Sequence, residues 1–349
     1  MKEFYLILPE KPSPFLKKMI DRTTEKINYK VIDNFNNIPD LKNKKIIFAV
    51  ELPVTGVSNN LNNFFITLIS RGNDSLLGSE GIVLIHSNYQ LYTKTCAQYI
   101  IFQSNLLGLR FPGRPIVEAT GNLDNFIPLI KVYNITTEEI CFMQCRELGL
   151  RFLNDNYKKI ENPKILALHS SNWNTSNSLL LWKMVKSNLK SENISEINVG
   201  NGKVVDCAGC PYTTCKHYGQ QEKCFYGGIV VEEVYPSILE SDAIIFICPN
   251  YNDMISANLV AVINRLTALF RKSKFYDKTL FSIIVSGHSG SDALARQLIS
   301  ALNINKTFRL PPYFALMATA NDKGAIEKVP GIMDKARTFA ENIKYNIVK

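Results

Sequence analysis

The sequence predicts an α/β protein built of two tandem, doubly wound parallel sheets, and three observations carry that prediction. The chain contains an internal repeat. Its short apolar runs alternate with amphipathic segments in a βαβ rhythm. Its 349 residues, 46% hydrophobic and 20% charged, match ordinary folded domains and leave room for two cores, which excludes disordered, collagen-like and coiled-coil chains.

The repeat is read first. Ile46-Ile47-Phe48 through Leu68 aligns without gaps onto Ile244-Ile245-Phe246 through Leu266, pairing Ser58 with Ser256, Asn60 with Asn258 and Leu61 with Leu259. Ile82-Val83 and His86-Ser87 then align with Ile284-Val285 and His288-Ser289, and Ala119-Thr120-Gly121-Asn122 with Ala318-Thr319-Ala320-Asn321. A capping box at Thr136 and Glu139 opens the last helix of the first copy. The polar stretch from Asn154 to Pro163 marks the boundary, giving domains at 1–160 and 161–349. In the second copy Ile165-Leu166-Ala167-Leu168 reads as a strand, a helix follows near Ser178 to Leu189, and Lys203-Val204-Val205 reads as the next strand. Ala243 to Cys248 and Leu280 to Val285 read as fully buried parallel strands.

Ligands of open α/β sheets bind beyond the carboxyl ends of the strands, so the loops there are compared between copies. After its first strand the second copy has Ser170-Ser171-Asn172-Trp173-Asn174-Thr175-Ser176-Asn177-Ser178, hydroxyls and backbone N–H groups at a helix start, suited to a phosphate or to a plain N-cap. The first copy has Pro9-Glu10-Lys11-Pro12-Ser13-Pro14, where prolines remove donors and Glu10 repels phosphate. The next loop, Pro249-Asn250-Tyr251-Asn252-Asp253, offers a tyrosine to lie along a planar ring. The third, Gly287-His288-Ser289-Gly290, is small enough for close approach of a ligand, and His288, matched to His86, reads as structural rather than as a proton donor.

Over residues 164 to about 330 these features resemble the NAD(P)H-dependent FMN reductases and iron-sulfur flavoproteins of flavodoxin-like fold. The family's phosphate loop is matched at Ser171, Asn177 and Ser178, its P-x-Y-W element at Pro249-Asn250-Tyr251-Asn252, and its D-R-L helix end at Asn264-Arg265-Leu266. The resemblance implies two tandem flavodoxin-like sheets. The second would hold FMN noncovalently, with phosphate at Ser170, Ser171, Trp173, Ser176, Asn177 and Ser178 and the isoalloxazine between the loops at 249–253 and 287–290. It also implies an oxidoreductase that passes electrons from NAD(P)H through FMN to an unidentified acceptor. The flavin would perform the redox chemistry, leaving no side chain obliged to act as acid or base. The first copy, lacking the cofactor, would replace the second subunit of a dimeric reductase, a pseudo-dimer within the chain; a homodimer is the alternative. An electron carrier or metal-binding interaction protein without substrate turnover is the alternative from another class.

Four of eight cysteines fall between Cys207 and Cys224, in an insertion over 207–230 that gives the second copy twenty-five extra positions. The gaps between Cys207, Cys210, Cys215 and Cys224 are two, four and eight, and nearby glycines let the segment fold back. A 4Fe-4S cluster suits such a set, zinc is the competing metal with His217 as a further ligand, and thiol or disulfide chemistry is the third reading. Cys141 and Cys145, set among Ile140, Phe142 and Met143, read as core.

The formal charge of +9 raises nucleic acid as a partner, but basic residues are scattered with no stripe or interleaved aromatics, which argues against it. No apolar run has the length of a membrane span and no signal peptide is evident, so a cytoplasmic, water-soluble protein is expected.

Overall fold

Five parallel strands form the centre of each half of the chain. The computed structural model describes residues 2–155, 158–172, 175–189, 193–200 and 204–349, which divide into units at 1–157 and 158–349. The first unit runs β1 (Phe4–Ile7), α1 (Pro14–Thr23), β2 (Tyr29–Ile32), β3 (Lys45–Glu51), α2 (Asn59–Ser70), β4 (Glu80–Ser87), α3 (Thr93–Leu106), β5 (Ile116–Thr120), α4 (Ile127–Tyr133) and α5 (Thr137–Asn154). The second runs β6 (Ile165–His169), α6 (Asn177–Leu189), β7 (Ile194–Asn198), α7 (Tyr212–Gln220), α8 (Tyr235–Glu240), β8 (Ala243–Pro249), α9 (Ala257–Leu269), β9 (Thr279–Ser286), α10 (Ser291–Leu298), β10 (Ala315–Thr319) and α11 (Ile332–Ile347). The strand orders are β2-β1-β3-β4-β5 and β7-β6-β8-β9-β10, the same flavodoxin-like order twice.

Alternation of side chains across the central strands divides each core into two layers. In the second unit Ile245, Ile247, Phe281 and Ile283 pack against Leu181, Trp182 and Val185 of α6 and Phe339, Ala340 and Ile343 of α11. Ile244, Phe246 and Ile284, also fully buried, face the opposite layer. Trp182 alone, wholly buried, contributes enough that truncation to alanine would cost about 3–5 kcal/mol. In the first unit Ile47, Ala49, Ile82 and Leu84 pack on α1 and α5, while Phe48 meets Phe64 and Phe65 of α2 on the other face. The Thr136–Glu139 capping box opens α5 as expected, and Cys141 and Cys145 are core residues.

Two sequence equivalences are corrected. The second strand of the second unit is Ile194–Asn198, and Val204-Val205 lies in no strand, Val205 being largely exposed. β7 is an edge strand with only two apolar residues, Ile194 and Ile197, on opposite faces, so no apolar run announces it. The true contrast is therefore residues 199–242 in the second unit against 33–44 in the first. Secondly, His86 is registered opposite Glu51, and Val285 opposite Pro249, so Val285 rather than His288 is the counterpart of His86. Strands buried on both faces carry no alternation to fix their register, and the Ile-Val match slipped by three residues.

No helix among the described residues is long and apolar enough to cross a membrane.

Candidate functional site

In the second unit the chain leaves β6 for α6 on one face of the sheet and leaves β8 for α9 on the other, which makes the gap between β6 and β8 the topological switch point. A crevice of about 980 Å³ opens there. Its walls are Ser170, Ser171 and Asn172 after β6, Asn198, Gly200 and Asp206 after β7, and Tyr251, Asn252 and Met254 after β8, with the start of α9 at its base.

Short-range hydrogen bonds fix these walls. Asn258 on α9 donates to the Val199 carbonyl at 2.7 Å, the Gly200 N–H donates to the Asn198 side chain at 2.8 Å, and the Ser170 and Ser256 hydroxyls meet at 2.5 Å. Ser256 is the N-cap residue of α9, yet its hydroxyl caps no helix N–H because it is turned toward Ser170. The helix start thus keeps its positive end toward the crevice without a capping side chain. Ser171 is 3% exposed, and its hydroxyl has no hydrogen-bond partner among the described residues. A buried hydroxyl left this way costs about 1–3 kcal/mol, which a bound acceptor would recover. His169 below it is fully buried, and burial lowers its pKa, so it remains neutral.

After β8, Tyr251 and Met254 pair through reciprocal backbone hydrogen bonds of 3.3 and 3.1 Å, with Asn252 and Asp253 both at positive φ between them. That is the backbone of a type I′ turn, accepted here by Asn and Asp. It leaves Tyr251 and Met254 58% and 56% exposed beside the crevice, an apolar pair without an internal partner surface. Asn250 anchors the turn, donating to the Ser286 hydroxyl and the Ser289 carbonyl, both at 3.0 Å. Gly290 permits the close fit of the two loops: its φ is +89°, and a Cβ there would lie 1.9 Å from Asp253 Oδ1.

Of the residues expected at the cofactor, Ser170, Ser171, Tyr251 and Asn252 line this crevice, and Pro249, Asn250 and Asp253 support the turn. Ser176, Asn177 and Ser178 face elsewhere. Ser176 caps α6 by accepting from the Leu179 N–H at 3.2 Å and meets the Ser178 hydroxyl at 2.8 Å. Asn177 donates to the Ala320 and Asp322 carbonyls, tying α6 to the chain after β10. Gly287, His288, Ser289 and Gly290 do not border the crevice, and His288 is exposed. Trp173 lies outside the described residues. Ser256 and Asn258 were visible in the repeat alignment but were taken only as markers of it. Asn198 was hidden by the misplaced edge strand.

The cysteine segment adjoins the crevice through Asp206, whose carboxylate accepts from the Cys207 N–H at 2.6 Å and from Asn264 at 3.1 Å. Arg265 is buried and reaches both ends of the segment, donating to the Val205 carbonyl at 3.2 Å and the Gly227 carbonyl at 2.6 Å. It is therefore a clamp on the segment. Cys207 is exposed, and Cys210, Cys215 and Cys224 are half-buried. The arrangement does not by itself support a metal at Cys207, Cys210, Cys215 and Cys224. Among the described residues no three His, Cys, Asp or Glu side chains are gathered to hold an ion. Cys215 sits on α7, while Cys207, Cys210 and Cys224 lie in the irregular chain on either side of it. Cys248, at the end of β8, is buried and its thiol is pushed up to about 12, so it stays inert.

Residues 163–322 match the sequence profile of the family described as NADPH-dependent FMN reductase. No curated protein matches the chain. Similar solved structures include the NAD(P)H:quinone oxidoreductase from Methanothermobacter marburgensis (14% identity, covering 52% of this chain and 99% of that one, TM-score 0.40). An azoreductase from Bacillus anthracis str. Sterne (13%, 52% and 98%, TM-score 0.37) is another. RosB with its bound riboflavin-phosphate intermediate (13%, 52% and 78%, TM-score 0.40) is a third.

Proposed function

We propose, from the match of residues 163–322 to the NADPH-dependent FMN reductase family, that this chain is an oxidoreductase carrying one FMN in the β6–β8 crevice and passing electrons from NAD(P)H to an acceptor. The observation that carries the proposal is the Ser171 hydroxyl, buried and unpartnered at the wall of a crevice large enough for a mononucleotide. Ser170, Ser171 and the N–H groups of residues 170–172 would hold the phosphate. Tyr251 and Met254 would cover one face of the ring, and Asn252, whose backbone is exposed in the turn, its edge. When bound, FMN supplies the two-electron exchange with a nicotinamide.

The protein's own part is binding and exclusion. The Asn250 tether holds the 249–254 turn at a set distance from β9, so Tyr251 is positioned by backbone geometry rather than by the ligand. The diffuse positive charge of the chain favours encounter with phosphate-bearing dinucleotides. His169 stays neutral and Cys248 protonated, so neither competes as a nucleophile or charge at the cofactor. Among the described residues no three His, Cys, Asp or Glu side chains are placed to hold an ion, so the reading needs no metal.

The test is the visible spectrum and FMN titration of the full chain, followed by anaerobic NADPH. One FMN per chain that bleaches with NADPH is expected. Bound flavin that stays oxidised would favour an electron carrier reduced by another protein, and absence of FMN binding would overturn the proposal.

A further inference from the structure

We propose that Cys207 and Cys210 form a dithiol/disulfide couple that is the first acceptor of electrons from the flavin crevice. The proposal rests on the flavin reading above. It begins from a contrast: four cysteines are spaced as if for a metal, yet among the described residues no three His, Cys, Asp or Glu side chains are placed to hold one. What the fold provides instead is a C-x-x-C pair in an irregular segment, Asp206-Cys207-Ala208-Gly209-Cys210, immediately beside the crevice. Asp206 is itself part of the crevice wall and holds the Cys207 N–H at 2.6 Å, so the first thiol is one residue from the site.

Three features suit the pair to closing and opening. Gly209 lies between the cysteines at φ +71° with nothing within 4 Å of the place a Cβ would take, so the turn needed to bring two sulfurs within bonding distance meets no obstruction. Arg265 fixes the ends of the segment at Val205 and Gly227, which keeps the pair at the crevice while its middle rearranges. Cys207 is exposed, whereas Cys210 is half-buried with its sulfur 3.6 Å from the Tyr226 hydroxyl. That asymmetry suits one attackable and one sheltered sulfur.

In the reducing step the Sγ–Sγ bond breaks, two electrons and two protons are taken up, and two thiols result. The electrons come from NAD(P)H by way of the flavin, so NAD(P)H, a proton and the disulfide become NAD(P)⁺ and the dithiol. In the reverse sense an external disulfide, attacked by the exposed Cys207, would reoxidise the pair by exchange.

The test uses the full chain, handled anaerobically. Iron, zinc and acid-labile sulfide are measured first, and stoichiometric metal on the cysteines would overturn the proposal. The protein is then equilibrated with oxidised glutathione, alkylated and mapped by peptide mass, and a Cys207–Cys210 disulfide is expected. With FMN bound, NADPH should raise the free-thiol count by two per chain. Cys207→Ser or Cys210→Ser should abolish the gain, and Cys215→Ser or Cys224→Ser should keep it, with circular dichroism showing each variant folded. Bound FMN that is reduced while the disulfide stays closed overturns this inference alone. Failure to bind FMN overturns the parent reading, and this one with it.

Discussion

The switch points of the two units are built on the same framework and finished in opposite ways. By strand register, Glu10 of the first unit stands where Ser171 stands in the second, since β1 and β6 pair equivalently with β3 and β8. The Glu10 carboxylate accepts from the Ser58 hydroxyl at 2.9 Å, and Ser58 also caps α2 by accepting from the Leu61 N–H at 3.0 Å. Its counterpart Ser256 caps nothing, and the counterpart of Glu10 is an unpartnered hydroxyl. At the next two strand ends the first unit has Glu51 and His86 joined at 2.6 Å, with the Ser13 N–H donating to Glu51 at 3.0 Å, where the second has Pro249 and Val285. The first unit thus supplies its own anion and pairs it. The second leaves an unpartnered hydroxyl at that place among the described residues, while the one carboxylate of its wall, Asp206, is engaged by Cys207 and Asn264, the arrangement expected if an external anion completes it.

The sharpest way to break that contrast is to write one crevice into the other. Ser171→Glu would place a carboxylate against the proposed phosphate. At about 4 Å and an effective dielectric of about 20 the repulsion is roughly 4 kcal/mol, so FMN affinity in a fluorescence titration should fall at least about 100-fold while the unit stays folded. Unchanged affinity would put the phosphate elsewhere. Tyr251→Ala should do less. Removing one face of stacking costs about 1–2 kcal/mol, or about tenfold in Kd, and should alter the bound flavin's spectrum; an unaltered spectrum would take the ring off that turn.

Much of this was legible in the sequence, and what was not has identifiable causes. The repeat and the all-apolar strands at 46–50 and 244–248 declared two parallel sheets, because strands covered on both faces must be apolar throughout. The same property erased register, so His288 was matched to His86 when its place in the fold is three residues beyond the true counterpart, Val285. Hydroxyls at 170–178 announced a helix start that could take an anion. Which of them face the crevice and which serve the helix depended on contacts with the chain after β10, such as Asn177 with Asp322, far away in sequence. The clamp role of Arg265 was not legible because its partners, the Val205 and Gly227 carbonyls, are backbone groups that no pattern of side chains reveals.

The smallest expected effect lies in the first unit and tests whether its charges close the crevice there. Burial opposes ionisation of Glu51, but hydrogen bonds from His86 and Ser13 outweigh it and hold the carboxyl below its ordinary range. A folded-state pKa below the unfolded value means that the unfolded chain binds more protons as pH falls through that interval. The stabilisation is therefore complete above the ordinary carboxylate range and is lost as pH drops through the lower, folded value. Glu51→Gln should remove it at neutral pH, lowering stability by about 1 kcal/mol once screening of this half-buried group is allowed for, and should flatten the acid limb of a thermal unfolding series between about pH 5 and 3. Glu51→Gln should leave FMN affinity unchanged, since the cofactor is assigned to the other unit. A variant that loses FMN without losing acid-sensitive stability would reverse the assignment of the two crevices.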